Sequence, residues 1–195
     1  MNIGLFFGSF NPIHVGHLII ANYMHHFGRL DEIWFIVSPQ NPFKTHNELL
    51  PQNQRLQMVQ MAVEGKPWLK ASDVEFSLPL PSYTENTLRY LRNTHPSHNF
   101  KIIMGSDNLA SFHKWKDFEE ILQHHQLLVY YRFGHRNDEL EKHPNVLLYD
   151  APVLHISATY VRDLIHQKAP ISYLVPPQVE EYISANHCFE LAKKS

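Results

Sequence analysis

Short apolar runs alternate with amphipathic segments along the first two-thirds of the chain. The runs at 3–7 and 32–37 contain almost no polar residue, which is typical of parallel strands that are buried on both faces. Apolar residues recur at every third or fourth position over 15–27 and 52–63, and this spacing predicts helices. The same criteria predict further strands at 69–76, 100–104, 126–131 and 146–149, and further helices at 84–93, 106–124 (broken near Trp115), 157–166 and 177–185.

This alternation predicts an α/β fold: a Rossmann-like, doubly wound, mostly parallel sheet with helices on both faces. No internal repeat, low-complexity tract or linker interrupts the pattern, so we expect a single domain over 1–195. In such sheets the ligand binds at the carboxyl ends of the strands. Polar turns fall at three such ends, at Gly8, at Gly105 and just before Ser157. The C-terminal helices, about 157–186, are therefore expected to complete the binding site.

The composition excludes several classes of protein. The 195 residues include 17 Lys and Arg and 19 Asp and Glu, a formal charge of −2, which argues against a partner bound through bulk charge such as a nucleic acid. Cys188 is the single cysteine, so no intrachain disulfide can form. No apolar stretch approaches the roughly 18 residues of a membrane helix, and the apolar start is too short for a signal peptide. We expect a cytoplasmic protein with no membrane partner. The oligomeric state stays open, and it includes a homo-oligomer.

Histidine is frequent, at 15 residues, and two adjacent pairs, His25-His26 and His124-His125, fall in predicted helices. Zinc sites normally need three or four ligands at defined spacings, and no such set occurs in the sequence. We therefore expect no metal site built from side chains, and we expect these pairs to lie on solvated helix faces.

The ten residues from Gly8 to His17, G-S-F-N-P-I-H-V-G-H, join a predicted strand to a predicted helix. Gly8 allows a sharp turn and a close approach to a ligand, and the unpaired N–H groups of a helix start suit phosphate. His14 and His17 are three residues apart, so they share one helix face, where they could hold a polyphosphate and stabilise charge that develops on it. Gly16 between them permits close packing. The alternative is a tight turn with two incidental histidines, and the combined pattern favours phosphate binding.

A second motif, I-S-A-T-Y-V-R over 156–162, opens a later helix. Ser157 or Thr159 can cap this helix and offer a hydroxyl group to phosphate oxygens. Arg162 lies one turn further on and can add a guanidinium fork. Alone, the pattern also fits an ordinary capped helix with a surface arginine. Together with the first motif it predicts two helix starts that grip one triphosphate.

The two motifs resemble the H-x-G-H and I-S-S-T-x-x-R signatures of the nucleotidylyltransferase superfamily. The resemblance implies a Rossmann-like fold that binds ATP at both motifs and transfers AMP or CMP. Ala158 is a departure, because the superfamily usually has a second serine at this position.

Within the superfamily, the sequence resembles the bacterial nicotinate-mononucleotide adenylyltransferases from Gly8 to Ile183. Lys116 departs from their usual second aromatic residue, and Phe43 departs from the histidine that often precedes their loop lysine. Four segments carry this closer resemblance: P-Q-N-P-F-K at 39–44, P-S-Y-T-E-N-T-L at 81–88, G-S-D-N-L at 105–109 followed by Trp115, and Y-L-V-P through Y-I at 173–183.

Each segment also has a physical interpretation with an alternative. Tyr83 and Thr84 begin a helix whose N–H groups could bind the carboxylate of nicotinate, or they form only a capped helix start. Asp107 could accept hydrogen bonds from ribose hydroxyls, or it is another helix cap. Trp115 could stack on a flat heteroaromatic ring, although burial in the core is the commoner role. Lys44 could lie near a phosphate, or it is a solvated surface lysine.

The resemblance implies transfer of AMP from ATP to nicotinate mononucleotide, with Mg²⁺ expected as a cofactor that is delivered with ATP. His17 and His14 are the expected catalytic residues. The expected ATP-binding residues are Gly8, Ser9, Phe10, His14, His17, Gly105, Asp107, Ser157, Thr159 and Arg162, and the expected acceptor-binding residues are Lys44, Tyr83, Thr84, Asp107 and Trp115.

Two alternative functions remain open at this point. The first is a sister adenylyltransferase with another acceptor, such as nicotinamide mononucleotide, phosphopantetheine or FMN. The segment at 82–84 and the region of Trp115 argue against it. The second is a nucleotide-binding regulator without catalysis, and the presence of both His14 and His17 argues against that. A fragment-like tRNA-binding protein is disfavoured by the short chain, which has no anticodon-binding extension.

Overall fold

A computed structural model describes residues 1–39, 49–132, 139–152 and 154–190. Its centre is a six-stranded sheet in which every neighbouring pair is parallel, with the order β3-β2-β1-β4-β5-β6. The order reverses between β1 and β4, so the carboxyl ends of these two strands form the crevice where ligands bind in doubly wound sheets. The strands are β1 (Asn2–Gly8), β2 (Glu32–Val37), β3 (Leu69–Ser72), β4 (Asn99–Gly105), β5 (Leu127–Tyr130) and β6 (Val146–Tyr149).

Helices cover both faces of this sheet, as the sequence predicted. The apolar side chains of the inner strands point alternately to the two faces, which is why the strand sequences are apolar throughout. The helices are α1 (Val15–Phe27), α2 (Gln52–Val63), α3 (Thr84–Thr94), α4 (Ser106–Ala110), α5 (Phe118–His124), α6 (Ala158–His166) and α7 (Pro177–Ala185).

Two hydrophobic clusters divide the helices between the faces. Ile20 of α1, Met58 of α2, Val161 of α6 and Val179 of α7 belong to the first cluster. The second cluster contains the buried residues of α3, α4 and α5, among them Leu88, Leu91, Leu109 and Ile121. Each fully buried aliphatic side chain stabilises the fold by roughly 1.5–3 kcal/mol. The helices that carry the two predicted phosphate motifs therefore share one face, and α3, which begins at Thr84, and α4, which contains Asp107, lie on the other.

The predicted third strand, 69–76, is only half as long in the structure. β3 ends at Ser72, and a 3-10 helix follows at Val74–Ser77. The reason is Glu75, which is buried and accepts a hydrogen bond at Oε1 from Thr87 Oγ1 at 2.8 Å. A continued edge strand would not turn this carboxyl group towards α3.

The predicted helix over 106–124 is three separate pieces. α4 ends at Ala110, a 3-10 helix covers Phe112–Lys114, and α5 begins only at Phe118. Trp115 has an extended backbone, so the predicted break near this residue is confirmed. Asp117 adds a second interruption, because its φ of 53° lies in the left-handed region, which no α-helix can contain.

The remaining predicted elements agree with the structure to within one or two residues. None of the helices in the part of the chain that the structure describes is long and apolar enough to cross a membrane.

Candidate active site

The turn between β1 and α1 places two imidazole rings against each other. His14 is the N-cap residue of α1, and His17 is in its first turn. Their rings are stacked, with centroids 3.7 Å apart and planes inclined by 28°, so the predicted shared face is confirmed. Gly16 makes this possible, because a Cβ atom there would lie 2.9 Å from His14 Nδ1.

A main-chain hydrogen bond orients the His17 ring. The N–H group of His14 donates to His17 Nδ1 at 3.2 Å, and the edge of the ring packs against Phe10 at a centroid distance of 5.1 Å. A ring that accepts a hydrogen bond at Nδ1 carries its proton on Nε2 when it is neutral. His17 is therefore held in the tautomer that offers an Nε2–H donor.

His14 is buried and uncharged at neutral pH. Its side chain is 5 % exposed. Burial, with a smaller effect from the Arg132 guanidinium, lowers its pKa from 6.5 to about 4. Its Nδ1 atom is buried without a hydrogen-bond partner among the described residues. The His14 ring is therefore a neutral group within the site at pH 7.

Gly8 and Phe10 pack directly against each other. A Cβ atom at Gly8 would lie 2.8 Å from the ring of Phe10, so the missing side chain makes room for this ring. Phe10 is 2 % exposed, and its backbone has a φ of 45°. Its side chain belongs to the core, which leaves only its main chain to contact a nucleotide. Ser9 beside it is also buried.

The second motif meets the first across the start of α6. Ser157 is the N-cap, and its Oγ accepts a hydrogen bond from the Tyr160 N–H at 3.1 Å, so Ser157 and not Thr159 caps the helix. Thr159 Oγ1 accepts from Arg162 Nη2 at 3.4 Å. Arg162 Nη1 donates to the carbonyl oxygen of Asn11, in the first motif, at 2.9 Å. The two helix starts therefore lie side by side, as expected for a shared triphosphate site.

An ion pair lies just beyond the carboxyl ends of β4 and β5, between the Asp107 carboxylate and the Arg132 guanidinium. Asp107 Oδ2 accepts a hydrogen bond from Arg132 Nη1 at 3.0 Å. Gly105 admits this pair, because a Cβ atom there would overlap Asp107 Oδ1 and lie 2.8 Å from Arg132 Cδ. Asp107 Oδ1 is buried and has no hydrogen-bond partner among the described residues. Asp107 does not cap α4, whose N-cap is Gly105.

Two of the predicted acceptor residues, Tyr83 and Thr84, form the start of α3. Tyr83 is its N-cap, with no side-chain hydrogen bond to the first turn, so the side-chain cap that the sequence suggested for this helix start is wrong. Lys116 Nζ lies 4.9 Å from the centroid of the Tyr83 ring. Trp115, next to Lys116, is half-buried and packs on Phe112 at a centroid distance of 5.1 Å. The end of α3 precedes the first residue of β4, so it lies at the amino edge of the sheet. The start of α3, at Thr84, therefore lies at the opposite, carboxyl edge.

Three basic residues near the site were not among the predicted site residues. Arg132 follows β5 at the ligand-binding edge, and its position directly after a buried strand is a signal that the sequence offered. Lys116 was noted only as a departure from the related enzymes. Arg55, in the middle of α2, gave no signal, because nothing in its neighbourhood distinguishes it from a surface arginine. Lys44 lies outside the described residues.

Two expectations about histidine and metal can be compared with the structure. His125 is buried, with Nδ1 2.8 Å from the carbonyl oxygen of Phe100, so the expectation that it lies on a solvated face is wrong. His25 is half-buried and stacks on Trp68. Within the described ranges, no three side chains of His, Cys, Asp or Glu lie close enough together to hold a metal ion.

Comparison with known proteins shows the family of this chain. Residues 5–164 match the family model described as cytidylyltransferase-like. A probable nicotinate-nucleotide adenylyltransferase of Cytophaga hutchinsonii is 54 % identical over 183 residues, which cover 94 % of this chain and 95 % of the relative. The corresponding protein of Flavobacterium johnsoniae is 49 % identical over 192 residues, 97 % of this chain and all of the relative. The chain therefore belongs to the cytidylyltransferase-like family and, within it, to the nicotinate-nucleotide adenylyltransferases.

A solved structure of a protein with a related name has the same fold. The structure of Plasmodium falciparum nicotinic acid mononucleotide adenylyltransferase complexed with NaAD superposes with a TM-score of 0.82 and covers 96 % of this chain, while 97 % of that chain is covered. The two sequences are only 21 % identical, so this likeness shows the Rossmann-like fold and leaves the site to the arguments given above.

Proposed function

We propose that this enzyme transfers the adenylyl group of ATP to nicotinate mononucleotide and releases deamido-NAD and pyrophosphate. The observation that carries the proposal is the hydrogen bond from Arg162 to Asn11, because it joins the two phosphate-binding helix starts at the switch point of the sheet. The described candidates for the acceptor site, Tyr83, Thr84 and Trp115, lie at the same edge of the sheet, and this supports a site where the two nucleotides meet.

The chemistry requires no nucleophile from the protein. An oxygen of the acceptor's 5′-phosphate attacks the α-phosphorus of ATP, a new P–O bond forms, and the bond to the leaving pyrophosphate breaks in line. Catalysis then consists of positioning and of stabilising negative charge. His17 Nε2–H is directed by the bond at Nδ1, and it would donate to the oxygens of the α-phosphate as their charge grows.

The remaining groups of the two motifs suit the β- and γ-phosphates. The Ser157 hydroxyl accepts from the Tyr160 N–H, so its own proton stays available to donate to a phosphate oxygen. The Thr159 hydroxyl accepts from Arg162 and has the same spare proton. His14 is neutral, so the empty site contains no buried charge at this position that would cost free energy. The neutral ring can still donate a hydrogen bond to a phosphate oxygen when the nucleotide binds.

Asp107 fits a ribose. Its Oδ2 atom is fixed by Arg132, while the buried Oδ1 atom has no partner among the described residues. An unpaired buried acceptor costs free energy that a hydroxyl donor recovers. A ribose hydroxyl is the donor that either substrate supplies.

Selection of the acid over the amide would come from the start of α3. Its first N–H groups have no side-chain cap, and Lys116 brings a positive charge to Tyr83. Both features favour a carboxylate over a neutral carboxamide. The half-buried ring of Trp115 can offer one face to the pyridine.

Mg²⁺ would enter as part of the Mg-ATP substrate. The described residues offer no cage of three or more metal ligands, and Mg²⁺ is commonly held by phosphate oxygens and water with few protein ligands. When bound, the ion supplies charge neutralisation on the triphosphate.

The test is release of pyrophosphate from Mg-ATP with nicotinate mononucleotide and nicotinamide mononucleotide in parallel. A strong preference for the acid supports both the reaction and the carboxylate site. Equal rates with the two acceptors would remove the role given to Lys116 and the start of α3. Release with neither, but with phosphopantetheine or FMN, would overturn the acceptor, and binding of ATP without any release would favour the regulator.

A further inference from the structure

Among the described residues, Arg55 is the largest side chain that is completely buried. It lies in α2, with an exposed fraction of 0 %. Its guanidinium makes four hydrogen bonds, to the carbonyl oxygens of Ser9 (2.7 Å), Ser38 (2.8 Å), Leu50 (2.9 Å) and Pro39 (3.1 Å). Buried carbonyl groups of irregular segments need such donors, and one side chain supplies them here for three segments.

These carbonyl groups belong to segments next to the carboxyl ends of β1 and β2. Ser9 belongs to the turn between β1 and α1, which carries the first phosphate motif. Ser38 and Pro39 directly follow β2, the neighbour of β1 in the sheet. Leu50 lies just before α2. One guanidinium therefore joins the carboxyl ends of two adjacent strands and fixes both ends of the segment between 39 and 50.

The hydrogen bonds continue from Arg55 to Arg162. Leu50 N–H donates to Asn11 Oδ1 at 3.1 Å, and the carbonyl oxygen of Asn11 accepts from Arg162 Nη1 at 2.9 Å. With the bond from Arg55 to Ser9, this path closes a ring around residues 9–11. The shape of the phosphate turn and its distance from the second motif are thus set through Arg55.

The charge of Arg55 is unusual for a purely structural group. Burial lowers its pKa to about 10, so it is still a cation at neutral pH. The ion pairs found among the described residues do not include it. Among the described residues no carboxylate balances this buried cation, and such a charge is costly, so a neutral side chain would often fill the position at lower cost. A cation beneath a phosphate-binding turn has a use, because it attracts the anion that binds above it.

We propose that Arg55 is a positioning residue of the nucleotide site. It holds the turn at residues 8–11 in the shape that binds the triphosphate, and its buried charge raises the affinity for that anion. It touches neither substrate and acts through the main chain of Ser9 and the Leu50–Asn11 path. The inference rests on the proposed function only in taking Mg-ATP as the nucleotide.

The experiment compares Arg55→Lys and Arg55→Met with Met58→Ala. Met58 is also on α2 and 0 % exposed, so its truncation destabilises the fold without touching the four carbonyl groups. For each protein, Mg-ATP binding without acceptor is measured by calorimetry, and stability by urea unfolding. KM for ATP and KM for the acceptor are then measured separately.

We expect both Arg55 variants to bind Mg-ATP more weakly by roughly ten- to a hundredfold, the equivalent of one hydrogen bond to a charged group. Arg55→Lys keeps the positive charge but not the planar guanidinium group, so it should lose less affinity for Mg-ATP than Arg55→Met. KM for ATP should rise far more than KM for the acceptor, and Met58→Ala should bind Mg-ATP like the unchanged protein.

Binding of Mg-ATP by Arg55→Met within twofold of the unchanged protein would overturn the proposal. An equal loss in Met58→Ala would also overturn it, since the effect would then follow stability. If Arg55→Met does not fold, Arg55→Lys decides the question by the same comparison. Because binding is measured without acceptor, the result stands even if nicotinate mononucleotide proves not to be the acceptor.

Discussion

Two stacked imidazole rings at the start of α1, one from its N-cap His14 and one from His17 in its first turn, expose different ring atoms. His17 uses Nδ1 to accept a main-chain hydrogen bond and presents its Nε2–H group, while His14 is buried and neutral with an unpaired Nδ1. The roles of the two residues should therefore separate in experiments. His17 is expected to donate a hydrogen bond to the negative charge that develops on the α-phosphate. His14 is expected to pack against His17 and to take up a proton only at acidic pH.

Replacing His17 with alanine should lower turnover by about two to three orders of magnitude, which is the loss typical of one oxyanion donor. The far-ultraviolet circular dichroism and the unfolding midpoint should change little. Glutamine places an N–H group near the position of Nε2, so His17→Gln should recover part of the rate. Turnover of the alanine variant near that of the unchanged enzyme would remove His17 from the mechanism.

The folded protein should lose stability as the pH falls from about 6.5 to about 4. His14 has a pKa of about 4 in the fold and 6.5 in the unfolded chain, so between these values the unfolded state binds more protons. The loss of unfolding free energy from this residue would reach roughly 3 kcal/mol at the acid end. Urea unfolding over this range measures it.

His14→Gln is the control for this pH dependence, because glutamine does not titrate there. Its unfolding free energy should fall less steeply between pH 6.5 and 4 than that of the unchanged protein. Parallel curves for the two proteins would show that His14 is not the group that takes up the proton.

At the scale of the elements, the sequence was sufficient where a local pattern decides the structure. The predicted bounds of α1, β2, α2, β6 and α7 agree with the structure to the residue. The predictions were wrong where a distant contact decides. β3 ends early because Glu75 turns inwards to Thr87, 12 positions further along the chain, and this contact has no local signature. In the stretch 106–124 the predicted break near Trp115 is confirmed, but the second interruption, at Asp117, was not predicted.

The start of α6 provides a test that separates capping from phosphate binding at Ser157. Alanine removes the side-chain acceptor of the Tyr160 N–H, so Ser157→Ala should cost about 1 kcal/mol of unfolding free energy, whereas Ser157→Gly should cost only a few tenths. Both variants lack the hydroxyl group that would donate to phosphate. We therefore expect them to raise KM for ATP equally. A KM that follows stability instead would leave Ser157 as a cap alone.

At the scale of the whole molecule, the sequence predicted the class of fold and the two phosphate motifs, but not the strand order or the residues that join the motifs. The bond from Arg55 to Ser9 spans 46 positions, that from Arg132 to Asp107 spans 25, and that from Arg162 to Asn11 spans 151. Motif residues are close in sequence and can be recognised there. Contacts between distant residues depend on the order of the sheet, which periodicity does not encode.

The sheet order predicts how the molecule opens. β1 and β4 are central and covered on both faces, whereas β3 and β6 are edge strands, and Leu148 of β6 is 38 % exposed. Amide hydrogens of β1 and β4 should exchange only through global unfolding, and those of β6 through smaller openings. Hydrogen exchange followed by mass spectrometry at several urea concentrations measures both. Slower exchange in β6 than in β4 would contradict this order.

The hydrogen bond between Arg162 and Asn11 has a consequence for how the protein is made. A ribosome releases the β1–α1 turn long before it has translated Arg162, and Leu174, whose carbonyl oxygen accepts from the Val15 N–H at 2.8 Å, comes later still. A nascent chain therefore lacks the three expected phosphate-binding residues of the second motif, Ser157, Thr159 and Arg162, until the ribosome has translated α6. ATP in the cell would not protect the growing chain, and would stabilise only molecules whose translation has passed α6.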